Sequence, residues 1–235
     1  MRTHRALRIL FGIGVLCLGV GTASEAGTGG TIIGHVRYLG KRTVPPIRVP
    51  AASLVPCGKM QPSQALIVGK DKALANAVVS VPGVPGAAPP PPVEVSISQE
   101  ACLFNPHVVA VPVGSRLTFV NSDVCLHNVH LLAGGTTLGN IAMPIKGQHS
   151  KVPLNVLAKP GSVRFKCDVH SWMDGSVYVF DHPGFAVSDK SGAFRIPQVP
   201  AGTYELQIQH ELLGSTTRKV TVPAGGDVKV EIDLQ

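Results

Sequence analysis

The sequence is poor in charge and in aromatic rings. Asp, Glu, Lys and Arg make up 15% of its 235 residues, and Phe, Trp and Tyr 5%, with a single Trp. So little charge beside 44% hydrophobic residues excludes an intrinsically disordered chain. Basic runs with interleaved aromatics are missing, so a nucleic-acid partner is not expected despite a formal charge of +7. Beyond residue 26 no apolar run is long enough for a transmembrane helix, and no membrane span is expected there. What the chain does have is 26 Gly and 20 Pro, too many turn formers for a helical bundle. Val- and Thr-rich stretches between them point to short strands in sandwiches or barrels, an all-β class. The length allows one large or two small domains, each able to bury a core.

Residues 1–26 read as a secretory signal peptide. Arg2, Arg5 and Arg8 supply the positive start, and residues 9–20 form an apolar stretch too short to span a bilayer comfortably. Small residues at Ser24 and Ala26 suit cleavage after Ala26, with Ala23 as the alternative. Removal takes three Arg and Glu25, which lowers the net charge from +7 to +5. The expected location is the periplasm or the secreted medium.

Residues 31–39 and 75–81 look like strands, and residues 83–92 form a Pro-rich linker. Residues 93–98, 108–113, 116–120, 128–132, 152–157, 163–166 and 176–180 follow as short strands joined by turns, the arithmetic of a sandwich. Two further turn-and-strand units, S-D-K-S-G-A-F-R-I (188–196) and P-A-G-T-Y-E-L-Q-I (200–208), close the chain with strands at 220–222 and 228–234.

Two segments carry chemistry: N-S-D-V-C-L-H-N-V-H (121–130) and F-K-C-D-V-H-S-W-M-D-G (165–175). Cys167, His170 and Met173 form a C-x2-H-x2-M run between two strands. Thiolate, imidazole and thioether are soft donors that suit copper rather than calcium or magnesium. Two His and one Cys with a weak axial Met give a geometry acceptable to both copper oxidation states. The missing imidazole is His127, at the end of a loop, with His130 as its competitor inside an apolar run. Met is a poor zinc ligand, and a Cys–His nucleophile on one loop lacks evident oxyanion donors. If Cys167 serves the metal, Cys57, Cys102 and Cys125 remain for one bridge in an oxidising compartment. Cys57–Cys102 is preferred because Cys125 sits in the ligand loop, but the sequence leaves the other pairings open. Trp172, between His170 and Met173, is either a core residue or an apolar collar where a partner docks.

These segments resemble the cupredoxins, and their ligand loops are similar to those of the amicyanin and plastocyanin-like blue copper proteins. The similarity spans residues 93–182 and rests on H-N-V-H at 127–130 and on the Cys167, His170, Met173 loop with Gly175 beyond it. It implies a Greek-key sandwich with one type 1 copper per chain, held by His127, Cys167, His170 and axial Met173, and with Asn128 steadying the two ligand loops. The D-x-x-G-x-F-x-I and P-x-G-x-Y-x-L patterns at 189–206 resemble the carboxypeptidase regulatory-like module, a transthyretin-like sandwich. Its first half is matched within residues 28–82 and its second within 183–235, so the copper domain would be inserted between them. The whole chain resembles bacterial methylamine-utilisation-type proteins. It departs from amicyanin at Cys125, Asp168 and Val169, which bear on potential and partner more than on copper binding. The resemblance implies a one-electron carrier that is not an enzyme and serves a redox partner protein. A copper chaperone or store, or a surface-binding module, is the alternative.

Overall fold

Runs in which buried and exposed side chains alternate dominate the chain, as expected of strands with one face on a core. The computed structural model describes residues 29–85 and 88–235. The signal-peptide reading of residues 1–26 lies outside the described residues.

Strand β1 (Gly30–Tyr38) comes first, followed by a short ribbon of β2 (Ile47–Arg48) and β3 (Met60–Gln61), and then by β4 (Val78–Ser80). Beyond the Pro-rich stretch come β5 (Glu94–Glu100), β6 (Leu103–Asn105), β7 (Val108–Pro112), β8 (Arg116–Asn121) and β9 (His127–Ala133). After them run β10 (Thr136–Met143), β11 (His149–Lys151), β12 (Gly161–Lys166) and β13 (Asp174–Phe180). The last five are β14 (Phe185–Val187), β15 (Ala193–Val199), β16 (Gly202–His210), β17 (Gly214–Val222) and β18 (Val228–Leu234).

Strands β5 to β13 build one sandwich. Its sheets have the orders β10-β9-β12-β13-β7 and β11-β8-β5-β6. Both contribute to a core centred on Phe104, Phe119 and Phe165, wholly buried rings that meet edge to face with centroids 4.9 to 5.8 Å apart. The remaining long strands build a second sandwich, with sheets β15-β1-β18 and β14-β4-β16-β17. Strand β1 runs antiparallel to β15 and parallel to β18. Strands from both flanks of the first sandwich therefore share each sheet of the second. Residues before the linker serve both cores, because Val49 and Cys57 pack into the first and Ile32, Val36 and Val79 into the second. At the junction His107 is buried. Its Nδ1 meets the Asp174 carbonyl at 2.8 Å and its Nε2 meets the Glu211 carboxylate at 2.6 Å.

Local chemistry accounts for the turns. Gly134 and Gly135, both with positive φ, form the two-residue link between β9 and β10, as a twisted hairpin requires. At Gly175 an added Cβ would lie 2.3 Å from the His107 carbonyl oxygen and 2.4 Å from the Phe165 ring, so only glycine fits behind the 167–173 loop. The Asp189 Oδ1 accepts from the Ser191 and Ala193 amides, which makes S-D-K-S-G a turn into β15. Residues 152–157, read from sequence as a strand, are instead a 3-10 turn at Leu154–Leu157. The Val152 amide still donates to Leu117, but Pro153 has no amide to extend the ladder. Strand β10 has no counterpart in the sequence reading; it lies at a sheet edge and most of its side chains are exposed, so it lacks alternation.

Candidate metal centre

The loop after β8 is shaped by the buried Asn121. Its Nδ2 donates to the Cys125 and Met143 carbonyls at 2.9 and 2.7 Å, and its Oδ1 accepts from the Asp123 amide at 2.9 Å. Asp123 in turn accepts from the Ala101 and Cys102 amides, each at 2.8 Å. Its Oδ2 also lies 3.0 Å from His127 Nε2, so that imidazole nitrogen carries the proton and donates. The Nδ1 lone pair of His127 is thereby left to face inward.

The second loop, between β12 and β13, closes on itself. The Cys167 amide donates to the Met173 carbonyl and the Met173 amide to the His170 carbonyl, both at 2.9 Å. The two loops lie at the same end of the sandwich, because β9 pairs with β12 and places Lys166 opposite His130. His127 Nδ1 and His170 Nδ1 are 3.0 Å apart, and Cys167 Sγ is 3.9 and 3.8 Å from them. All three side chains are buried, and Met173 at the end of the same loop is wholly so.

These donors suit a metal ion. A transition ion with nitrogen and sulfur at about 2.0–2.3 Å needs donors roughly 3–4 Å apart. Two imidazole lone pairs 3.0 Å apart repel unless a cation or proton lies between them. Burial lowers the pKa of His127 against the opposing pull of Asp123, and burial with the neighbouring His127 lowers that of His170. Both rings are thus held neutral, the form that ligates.

Asn128 clamps the two loops. Its Oδ1 accepts from the Asp168 amide at 2.6 Å, and its Nδ2 donates to Asp168 Oδ2 at 2.9 Å and to Asn140 Oδ1 at 2.7 Å. Asp168 is held well below the usual carboxylate range by hydrogen bonds from Lys166 and then His130, against some burial, with help from Asn128 and Asn140. His130 faces Asp168 through Nδ1 at 3.0 Å and Thr137 Oγ1 through Nε2 at 2.8 Å. Both its nitrogens are engaged outside the cluster.

Trp172 is 9% exposed, and its indole N–H donates to the Cys102 carbonyl at 3.0 Å. That burial leaves little of the ring exposed. The apolar side chains exposed beside the ligands are Val124, Leu126 and Val169. Cys57 and Cys102 are joined as a disulfide. Cys125 is a free thiol whose Sγ lies 3.3 Å from His127 Nε2, and burial followed by the Asp123 charge pushes its pKa up. The sequence reading missed Asp123; a carboxylate four residues before His127, inside N-S-D-V-C-L-H, was the available signal.

A buried Cys–His–His set on two loops at one end of a two-sheet sandwich defines a β-sandwich with a candidate transition-metal centre. Residues 91–180 match the copper binding proteins of the plastocyanin/azurin family, and residues 176–235 match the carboxypeptidase regulatory-like domain. The chain therefore joins a plastocyanin/azurin-type copper-binding domain to a carboxypeptidase regulatory-like domain. No curated protein matches the chain. Among solved structures it is similar to the Cu-containing nitrite reductase of Thermus scotoductus SA-01, at 24% identity over 39% of this chain and 23% of that one, with TM-score 0.31. The chain thus spans about a quarter of the length of that reductase. It is similar to a purple cupredoxin from Nitrosopumilus maritimus, at 23% identity over 37% of this chain and 99% of that one, with TM-score 0.31. A reduced mutant of amicyanin is similar at 22% identity over 43% of this chain and 98% of that one, with TM-score 0.33.

Proposed function

We propose that the chain is an exported type 1 copper protein that carries single electrons, with one copper per chain held by His127, Cys167, His170 and Met173. The observation that carries this reading is the meeting of two imidazole nitrogens and a cysteine sulfur, 3.0 to 3.9 Å apart and buried, from two separate loops. Bound copper would supply the one-electron couple. The chain's own residues hold the donors still: Asp123 keeps the proton on His127 Nε2, and Asn128 ties the Cys167 loop to β9. Donors fixed by the scaffold rearrange little when charge changes, which favours transfer over substrate chemistry. Burial excludes water from the site.

A redox partner protein would dock on the apolar side chains of Val124, Leu126 and Val169, next to the ligands in sequence. Export to the periplasm or beyond is supported by the residue pattern of 1–26 and by the disulfide, which persists in oxidising compartments. Among the described residues no helix is long and apolar enough to cross a membrane. The regulatory-like sandwich would act as a packing and spacing unit.

Addition of Cu(II) to the purified protein tests the reading. One copper per chain, an intense visible thiolate-to-copper band and a reversible voltammetric couple are expected. A colourless protein that binds Cu(I) and hands it on would refute it in favour of delivery. Cys167→Ala should abolish the band and His130→Ala should keep it; loss of the band in the second would move the first imidazole ligand to His130.

A further inference from the structure

Three sulfurs outside the proposed ligand set gather at one point. Cys57 precedes β3, Cys102 lies in the turn between β5 and β6, and Cys125 lies in the loop after β8. The first two are bridged and the third is free. Cys125 Sγ nevertheless lies within 4.8 Å of both bridged sulfurs. Asp123, two residues before Cys125, holds the two loops in place, since its Oδ2 accepts from the Cys102 amide. A thiolate placed against a disulfide exchanges with it, and access is one of the controls on the rate.

We propose that Cys57, Cys102 and Cys125 form one thiol–disulfide exchange unit, in which Cys125 attacks Cys102 and releases Cys57. Cys102 is the sulfur assigned as attacked, since its amide bond to Asp123 ties its turn directly to the Cys125 loop. Cys125 Sγ gives up its proton and bonds to Cys102 Sγ. The Cys57–Cys102 bond breaks, and its electron pair leaves on Cys57 Sγ, which takes up a proton. One disulfide and one thiol are present before and after, so no external oxidant or reductant is consumed.

Exchange reaches two parts of the molecule. It unties Cys57, which with Val49 packs the β2–β3 segment into the core of the first sandwich. It also draws the Cys125 sulfur into a bond, away from His127 Nε2 at 3.3 Å. The position of the bridge is thereby passed to the outer nitrogen of a proposed ligand. The chemistry itself does not depend on the copper reading.

Acid quenching of the native protein, unfolding with N-ethylmaleimide at low pH and peptic mapping without reductant give the test. Wild-type protein should yield both Cys57–Cys102 and Cys102–Cys125 peptides, with label shared between Cys57 and Cys125. Cys125→Ser should lose all label on Cys57. Cys57→Ser should show a Cys102–Cys125 bridge after air oxidation. Cys167→Ala should lose only the Cys167 label and keep both bridged peptides, which separates this result from the fate of the copper reading. A Cys102–Cys125 bridge in either wild type or Cys57→Ser supports the exchange unit. Label confined to Cys125 and Cys167 in wild type, together with an unbridged Cys102 in Cys57→Ser, overturns it.

Discussion

Asn128→Ala is the substitution whose cost can be worked out bond by bond. Three hydrogen bonds leave with the side chain, but they are not equal. Asp168 Oδ2 also accepts from Asn140, and the same carboxylate pairs with Lys166 and His130, so losing the Asn128 amide costs it little. Asn140 lies on the edge strand β10, with a second bond to Asp168, and can turn to water. The Asp168 backbone N–H is different, because Asn128 Oδ1 is its partner at 2.6 Å in a partly buried loop. Leaving such a donor unpaired costs about 1–2 kcal/mol, whereas the two side-chain bonds, whose partners keep other hydrogen bonds, together add roughly 0.5 kcal/mol. A total near 2 kcal/mol corresponds to a fall in Tm of roughly 4–8 °C for a chain of 150–250 residues. Calorimetry of the metal-free protein reads it, with Asn140→Ala as the control expected to cost no more than about 0.5 kcal/mol. Equal losses in the two variants would refute the reasoning, since they would place the energy in the side-chain network and not in the Asp168 amide.

Other outcomes follow from the same geometry. Removing the bridge as Cys57→Ala with Cys102→Ala opens a loop with a sequence separation of 45, worth about 4 kcal/mol by chain entropy. Denaturant melts should show most of that loss, and a change below about 1 kcal/mol would contradict it. At His107 burial works against the proton, but the Glu211 hydrogen bond and charge, with Asp174, outweigh it and raise the pKa. Both ring nitrogens face acceptors, so the charged ring is the form that satisfies both. Its stabilisation is complete below the ordinary histidine value of about 6.5 and fades as pH rises through the raised folded value. The Tm gap between wild type and His107→Gln should narrow over that range; a constant gap refutes the assignment. Met173→Leu should keep copper and raise the potential in voltammetry, and an unchanged potential would remove Met173 as axial donor.

The parts of the fold that sequence made legible are those where one face is buried. Strand β13 alternates through Val177 and Val179, and β16 through Leu206 and Ile208, because each covers a core. Strand β10 escaped notice because an edge with exposed side chains has no pattern to show, and Pro153 turned an apolar run into a 3-10 turn. At the candidate site, the spacing of Cys167, His170 and Met173 marks a candidate ligand loop from sequence, and folding brings Cys167 and His170 together with His127. Asp123 could not be read the same way, since its role depends on three partners, Ala101, Cys102 and His127, that only folding brings together. Trp172, between His170 and Met173 in sequence, spends its one donor on the Cys102 carbonyl inside the protein.

The parallel pairing of β1 with β18 has a consequence for assembly order. A chain emerging from its N-terminus delivers β1 and β4 early, but their neighbours are β14, β15, β16 and β18, which come last. The early strands must wait with open edges while the intervening domain, whose partners are mostly close in sequence, completes itself. Closure of the outer sandwich is then the final event. It draws both flanks of the copper domain into a single sheet pair, so the finished molecule carries its inner domain between two tethers that are locked side by side.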